Sequence, residues 1–89
     1  MKLSAEQLAI LRALDGGPEE TGIIAIFANV SGYSVGARNR KARNLLLELK
    51  YHGFVEYADS EKPWIWQRTE AGTAAIAGSP TQRQPRRKA

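Results

Sequence analysis

Between residues 38 and 44 the chain carries Arg38, Asn39, Arg40, Lys41, Arg43 and Asn44, four cations and two amides interrupted only by Ala42 and without an acid among them. A guanidinium offers a planar fork of donors that fits the O6/N7 edge of guanine or two phosphate oxygens. An asparagine amide fits the edge of adenine, and a lysine ammonium is a point charge suited to phosphate. A plain solvated helix face would also be polar, but such a face ordinarily mixes acids at i+4 among its bases for support. Here the next acid is Glu48. The block therefore points to a polyanion, with Arg40 and Asn44 as candidates for base edges and Asn39, Lys41 and Arg43 for phosphates.

Catalytic chemistry has little to draw on. The chain has no cysteine, and its one histidine, His52, has neither a nucleophile and acid pair nor metal-ligand spacing around it. No enzymatic activity, metal or cofactor is expected. His52 instead suits the negative end of a helix dipole.

The basic block must be carried by a helix. Apolar residues at 42, 45, 46 and 49 follow the i, i+3, i+4, i+7 rhythm of one buried stripe. At about 100° per residue the opposite face holds Ala37, Arg40, Asn44 and Leu47, flanked by Lys41 and Arg43, while Arg38 turns towards the core. Ser34 is placed to cap this helix, with Gly36 able to delay its first turn, and Gly53 to end it. Ser34 and Tyr33 beside it have a second role open, contact with a phosphate at the helix amino terminus. Leu47 on the cationic face suggests a thymine methyl, a protein partner or cover from a neighbouring element.

The rest of the chain frames that helix. Ser4 and Gln7 form a capping box, Leu3 and Leu8 a hydrophobic staple, and Leu8, Leu11 and Leu14 the inner stripe of a first helix ended by Gly16-Gly17-Pro18. Thr21 can cap a second helix over residues 22–29, whose Ile23, Ile24, Ile26 and Phe27 leave almost no polar face and predict a largely buried helix. Residues 54–58 and 64–68 read as a two-stranded hairpin with Asp59-Ser60-Glu61-Lys62-Pro63 at its tip. Trp64 and Trp66 on its second strand suit core packing, with base stacking as the alternative. Thr69 can cap a short alanine-rich helix ending at Gly78. The expected fold is therefore mainly α with a small β-hairpin, an α+β domain over residues 1–78 followed by a disordered basic tail, 79–89.

The 89 residues allow one domain, whose stability must come from packing alone. Residues 1–78 hold nine Lys/Arg and nine Asp/Glu, whereas 79–89 add four bases and no acid. The body is neutral but dipolar, with one cationic patch able to orient it on a polyanion. The apolar run at 23–28 is far short of the ~20 residues that span a bilayer. The amino terminus lacks the cationic-then-apolar pattern of a signal peptide. A cytoplasmic protein without membrane attachment is expected.

In this order the chain resembles the winged helix-turn-helix family of DNA-binding domains over roughly residues 4–77. Ala28-Asn29-Val30-Ser31-Gly32-Tyr33-Ser34 is similar to the turn before a recognition helix. Leu49, Gly53, Phe54 and Val55 are spaced as at the entry to a wing, and Thr69-Glu70-Ala71-Gly72 as at its exit. The resemblance implies that the third helix enters the major groove of double-stranded DNA, with Ser34, Asn39, Arg40, Lys41, Arg43 and Asn44 at the contact. Further contacts would come from Lys62 in the wing and Arg83, Arg86, Arg87 and Lys88 in the tail, whose alternative role is that of a solubilising end. It also implies a small transcriptional regulator or a phage- or plasmid-type factor of bacterial kind, associated with the nucleoid when bound to DNA. Three departures accompany it. The tip pairs Asp59 and Glu61 with a single Lys62, Arg68 stands where an apolar residue is usual so that Trp66 must supply the core contact, and no long dimerisation helix follows residue 78. A monomer or weak homodimer is expected. The alternative is a protein-interaction module, an adaptor or inhibitor, that uses Leu47 or the wing.

Overall fold

The first helix opens on the expected capping box. Ser4 Oγ accepts from the Gln7 N–H at 3.1 Å, and Gln7 Oε1 accepts from the Ser4 N–H at 2.8 Å. The computed structural model describes residues 2–77. These form α1 (Ala5–Ala13), β1 (Glu19–Glu20), α2 (Thr21–Phe27), α3 (Val35–Tyr51), β2 (Val55–Tyr57), β3 (Ile65–Arg68) and α4 (Glu70–Ala77). Among the described residues the architecture is a small α+β fold of four helices and one antiparallel sheet with strand order β1-β3-β2.

The inner stripe of α1 differs from expectation. Gln7, Ile10 and Leu11 are buried with the capping residue Leu14, whereas Leu8 is only half-buried. Gln7 can occupy a buried position because its amide is satisfied at both ends. It closes the cap through Oε1, and its Nε2 donates to Glu48 Oε1 on α3 at 2.7 Å.

The second helix corrects the sequence reading twice. It begins at Thr21, and its capping residue is Glu20, without a side-chain hydrogen bond. Thr21 Oγ1 is engaged elsewhere, accepting from Trp66 Nε1 at 2.8 Å and donating to the Trp64 carbonyl at 3.3 Å. A buried indole N–H requires such an acceptor. Burial is also incomplete: Ile24 and Ala25 are buried, but Ile26 and Phe27 are 55% and 65% exposed. A helix of two turns presents one stripe to the core, so bulky residues spread round its circumference cannot all be covered. It stops at Phe27, and Asn29 takes the left-handed backbone, φ 55°, that asparagine tolerates better than most residues.

The predicted hairpin is present, with Val55 opposite Arg68 and Tyr57 opposite Trp66, but it belongs to a three-stranded sheet. The third strand, β1, sets Glu19 against Trp66 and Glu20 against Ile65. Two glutamates have low strand preference, so nothing local announces this pairing. At the hairpin tip Asp59 accepts from the Glu61 N–H with its side chain, at 2.9 Å, and from the Lys62 N–H with its carbonyl, at 2.8 Å. Its carboxylate serves an Asx-type turn.

Trp66 supplies the core contact on β3, only 1% exposed and 5.0 Å from the Tyr57 ring centre. Arg68, two residues on, ties the strand to two helices. Its guanidinium donates to the Leu11 carbonyl at 2.8 Å, to the Asp15 carboxylate and to Thr73 Oγ1 at 3.0 Å. Thr69 Oγ1 accepts from the Gly72 N–H at 3.2 Å and donates to the Gly53 carbonyl at 2.6 Å, fastening α4 to the end of α3. One core, drawn from Ile10, Leu11, Ile24, Leu46, Leu49, Val55, Trp66 and Ile76 among others, lies between the helices and the sheet. No helix among the described residues is long and apolar enough to cross a membrane.

Candidate nucleic-acid interface

The third helix is built to hold its residues in register. Ser34 Oγ accepts from the Ala37 N–H at 3.1 Å, so the helix starts at Val35 and Gly36 does not delay it. The preceding turn packs directly on the first helical turn: a Cβ on Gly32 would lie 2.7 Å from the Arg38 backbone nitrogen, which leaves room for glycine alone. At the other end Gly53 has φ 86°, and the Phe54 N–H returns to the Leu49 carbonyl at 2.9 Å.

The two faces of α3 separate as its periodicity predicts. Ala42, Leu46 and Leu49 are buried and Leu45 is half-buried, while Arg40, Arg43, Asn44 and Leu47 are exposed. Among the described residues Arg40, Arg43 and Asn44 have neither an ion pair nor a side-chain hydrogen bond. Their donors face water. Glu48, the acid within α3, is exposed one turn after Asn44, and its Oε1 accepts from Gln7 Nε2 of α1.

The remaining basic and amide residues are less open. Lys41 Nζ bonds Glu6 Oε2 at 2.9 Å and Ser31 Oγ at 3.0 Å, so its charge is shared with α1 before any ligand arrives. Asn39 is half-buried against α2, where a Cβ on Gly22 would lie 3.7 Å from its Nδ2, and its buried Oδ1 has no hydrogen-bond partner. Its amide is directed at α2. Arg38 also turns inward, with a buried Nε that lacks a partner. Ser34 is exposed, but its hydroxyl serves the cap; Tyr33 beside it is fully open. Lys62 is exposed at the hairpin tip between Glu61 and Pro63. Arg83, Arg86, Arg87 and Lys88 lie outside the described residues.

Two participants escaped the sequence reading. Lys50 Nζ sits 4.7 Å over the Tyr57 ring, which joins the end of α3 to β2. Its position one turn before the hairpin was the available signal. Glu6 reaches Lys41 only through the packing of α1 on α3, which no local pattern reveals. The tryptophans also divide: Trp66 is core, whereas Trp64 is 50% exposed. His52 caps α3, its ring set edge-on to Tyr51. Among the described residues no group of three or more His, Cys, Asp or Glu side chains is placed to hold a metal ion. No protein-family model, curated protein or solved structure matches the chain.

Proposed function

We propose that this chain is a small winged helix-turn-helix domain that binds double-stranded DNA, with α3 in the major groove and the β2–β3 hairpin as its wing. The observation that carries this reading is the outward stripe of α3, where Arg40, Arg43 and Asn44 stand exposed and, among the described residues, without an ion pair or side-chain hydrogen bond. Arg40 and Asn44 lie one turn apart opposite the buried stripe and meet base edges. Arg43 meets phosphate, and Lys41 does so by exchanging Glu6 for a phosphate oxygen. Asn39, half-buried and directed at α2, stands apart from the outward stripe. The wing tip, with Asp59 closing its own turn and Glu61 beside it, stays out of the minor groove, and the hairpin meets α3 through Tyr57 beneath Lys50. The proposed role is that of a transcriptional regulator or a phage- or plasmid-type factor, non-enzymatic and without cofactor, cytoplasmic and nucleoid-associated when bound, acting as a monomer or weak homodimer.

Salt dependence tests this reading. If the patch and the tail together neutralise about four to six phosphates, log K should fall with log salt at about −0.9 per contact. Absence of duplex binding at low salt, or a flat response, would reject it. A second reading, a protein-interaction module with the same fold, is favoured by the exposed Ile26 and by Phe27, which lines an open groove with Ala9, Arg12, Ala13, Gly16 and Glu19. Failure of the salt test would promote that reading.

A further inference from the structure

The outward stripe of α3 continues past Asn44. Residues 40, 44, 47 and 51 follow i, i+4, i+7 and i+11, one line along a helix, and place Leu47 and Tyr51 beyond the two polar side chains. Leu47 is 37% exposed, and it is absent both from the core and from the half-buried apolar residues packed against it. Its neighbour Leu45 is among the latter. The hairpin is engaged elsewhere: Tyr57 packs on Trp66 and lies beneath Lys50 Nζ, on the flank of the helix and away from its outward pole. The fold therefore leaves more than a third of Leu47 open to solvent on the outward side, and sets it one turn from Asn44 and two from Arg40.

The major groove offers one apolar group among its polar base edges, the thymine 5-methyl. From Arg40 to Leu47 the helix advances about 10 Å at 1.5 Å per residue, a reach of roughly three base-pair steps at 3.4 Å. We propose that Leu47 reads the methyl group of a thymine adjacent to the bases met by Arg40 and Asn44. This rests on the duplex-binding reading above and adds a specificity residue that carries no charge and forms no hydrogen bond. The stripe then reads a mixed site, with fork and amide donors at one end and an apolar contact at the other.

Uracil differs from thymine by that methyl alone, which isolates the contact. The probe is the duplex recovered by selection from a random-sequence pool, with each thymine replaced singly by uracil. At one position the wild-type affinity should drop about threefold to fivefold, the effect of one methyl left in water. Leu47→Ala should remain folded and bind the thymine and uracil duplexes alike. Equal wild-type affinity for every uracil duplex overturns the inference while leaving duplex recognition intact. So does discrimination that survives in Leu47→Ala, a selected site without thymine, or a Leu47→Ala protein that unfolds. A pool with no enrichment, together with a flat salt response, overturns the duplex reading itself and this inference with it.

Discussion

α2 and α3 pack against each other and bury one stripe each in the same core, yet they expose opposite chemistries. The outward stripe of α3 carries Arg40, Arg43 and Asn44, while that of α2 carries Ile26 and Phe27. The difference lies in how each surface arises. On α3 a polar face is required by periodicity, and what stands out is that one acid, Glu48, accompanies the basic block and is already bonded to Gln7. On α2 a short, almost wholly apolar segment has more large side chains than one stripe can bury. Exposure alone thus separates neither a binding surface nor a packing remainder; the chemistry of the exposed groups and the engagement of their neighbours do.

The largest effect should come from testing the two sides of α2 against each other. Ile24→Ala removes a fully buried side chain and should cost about 2 to 5 kcal/mol in urea unfolding. Ile26→Ser, on the outward side, should stay within about 0.5 kcal/mol of wild type. Comparable losses from both would mean that the outer face of α2 is packed in solution, and a dependence of the midpoint on protein concentration would identify self-association as the cause.

On α3 the expected pattern is inverted, with stability preserved and binding changed. Arg40→Ala and Asn44→Ala should leave thermal unfolding nearly unmoved, while each costs roughly 1 to 3 kcal/mol on the selected duplex and far less on random DNA. Arg43→Ala should weaken both duplexes nearly equally, as loss of a phosphate contact does. Equal losses on specific and random DNA from Arg40→Ala would move that residue from base to backbone. Unfolding by either Arg40→Ala or Asn44→Ala would turn the helix to a different face.

Much of this arrangement was legible because it depends on local rules. The Ser4–Gln7 box, the cap at Ser34, the stop at Gly53 and the buried stripe of α3 each follow from neighbours in sequence, and each is present. What escaped depends on meetings between distant segments. β1 exists because residues after Pro18 find an edge of β3, and Thr21 is drawn from a capping role by the Trp66 indole across the sheet. The same holds at the interface. The outward placement of Arg40, Arg43 and Asn44 follows from a 3.6-residue period. The inward turn of Asn39 follows from Gly22 on another helix, and the engagement of Lys41 from Glu6 on a third. Helical phase assigns a residue to a face, but the neighbouring helix decides whether its donors are free.

That last distinction sets the smallest and most discriminating expectation, at the Glu6–Lys41 pair. Both side chains are close to half exposed, at 44% and 42%, so water and salt screen the pair strongly and its net worth to folding is about 0.5 kcal/mol or less. Glu6→Gln should therefore hardly change the thermal midpoint. For a polyanion approaching α3 the same carboxylate acts twice, holding the Lys41 ammonium and repelling phosphate beside it. Its neutralisation should strengthen duplex binding at low salt about twofold to fivefold, equally for selected and random sequences, and steepen the salt slope by up to about one contact. Lys41→Ala should then cost more in the Glu6→Gln background than in wild type, because only there is the cation fully available. If Glu6→Gln leaves affinity and slope unchanged, or if Lys41→Ala costs the same in both backgrounds, Lys41 serves the packing of α1 on α3 through Glu6 and Ser31 and has no part in the contact with DNA.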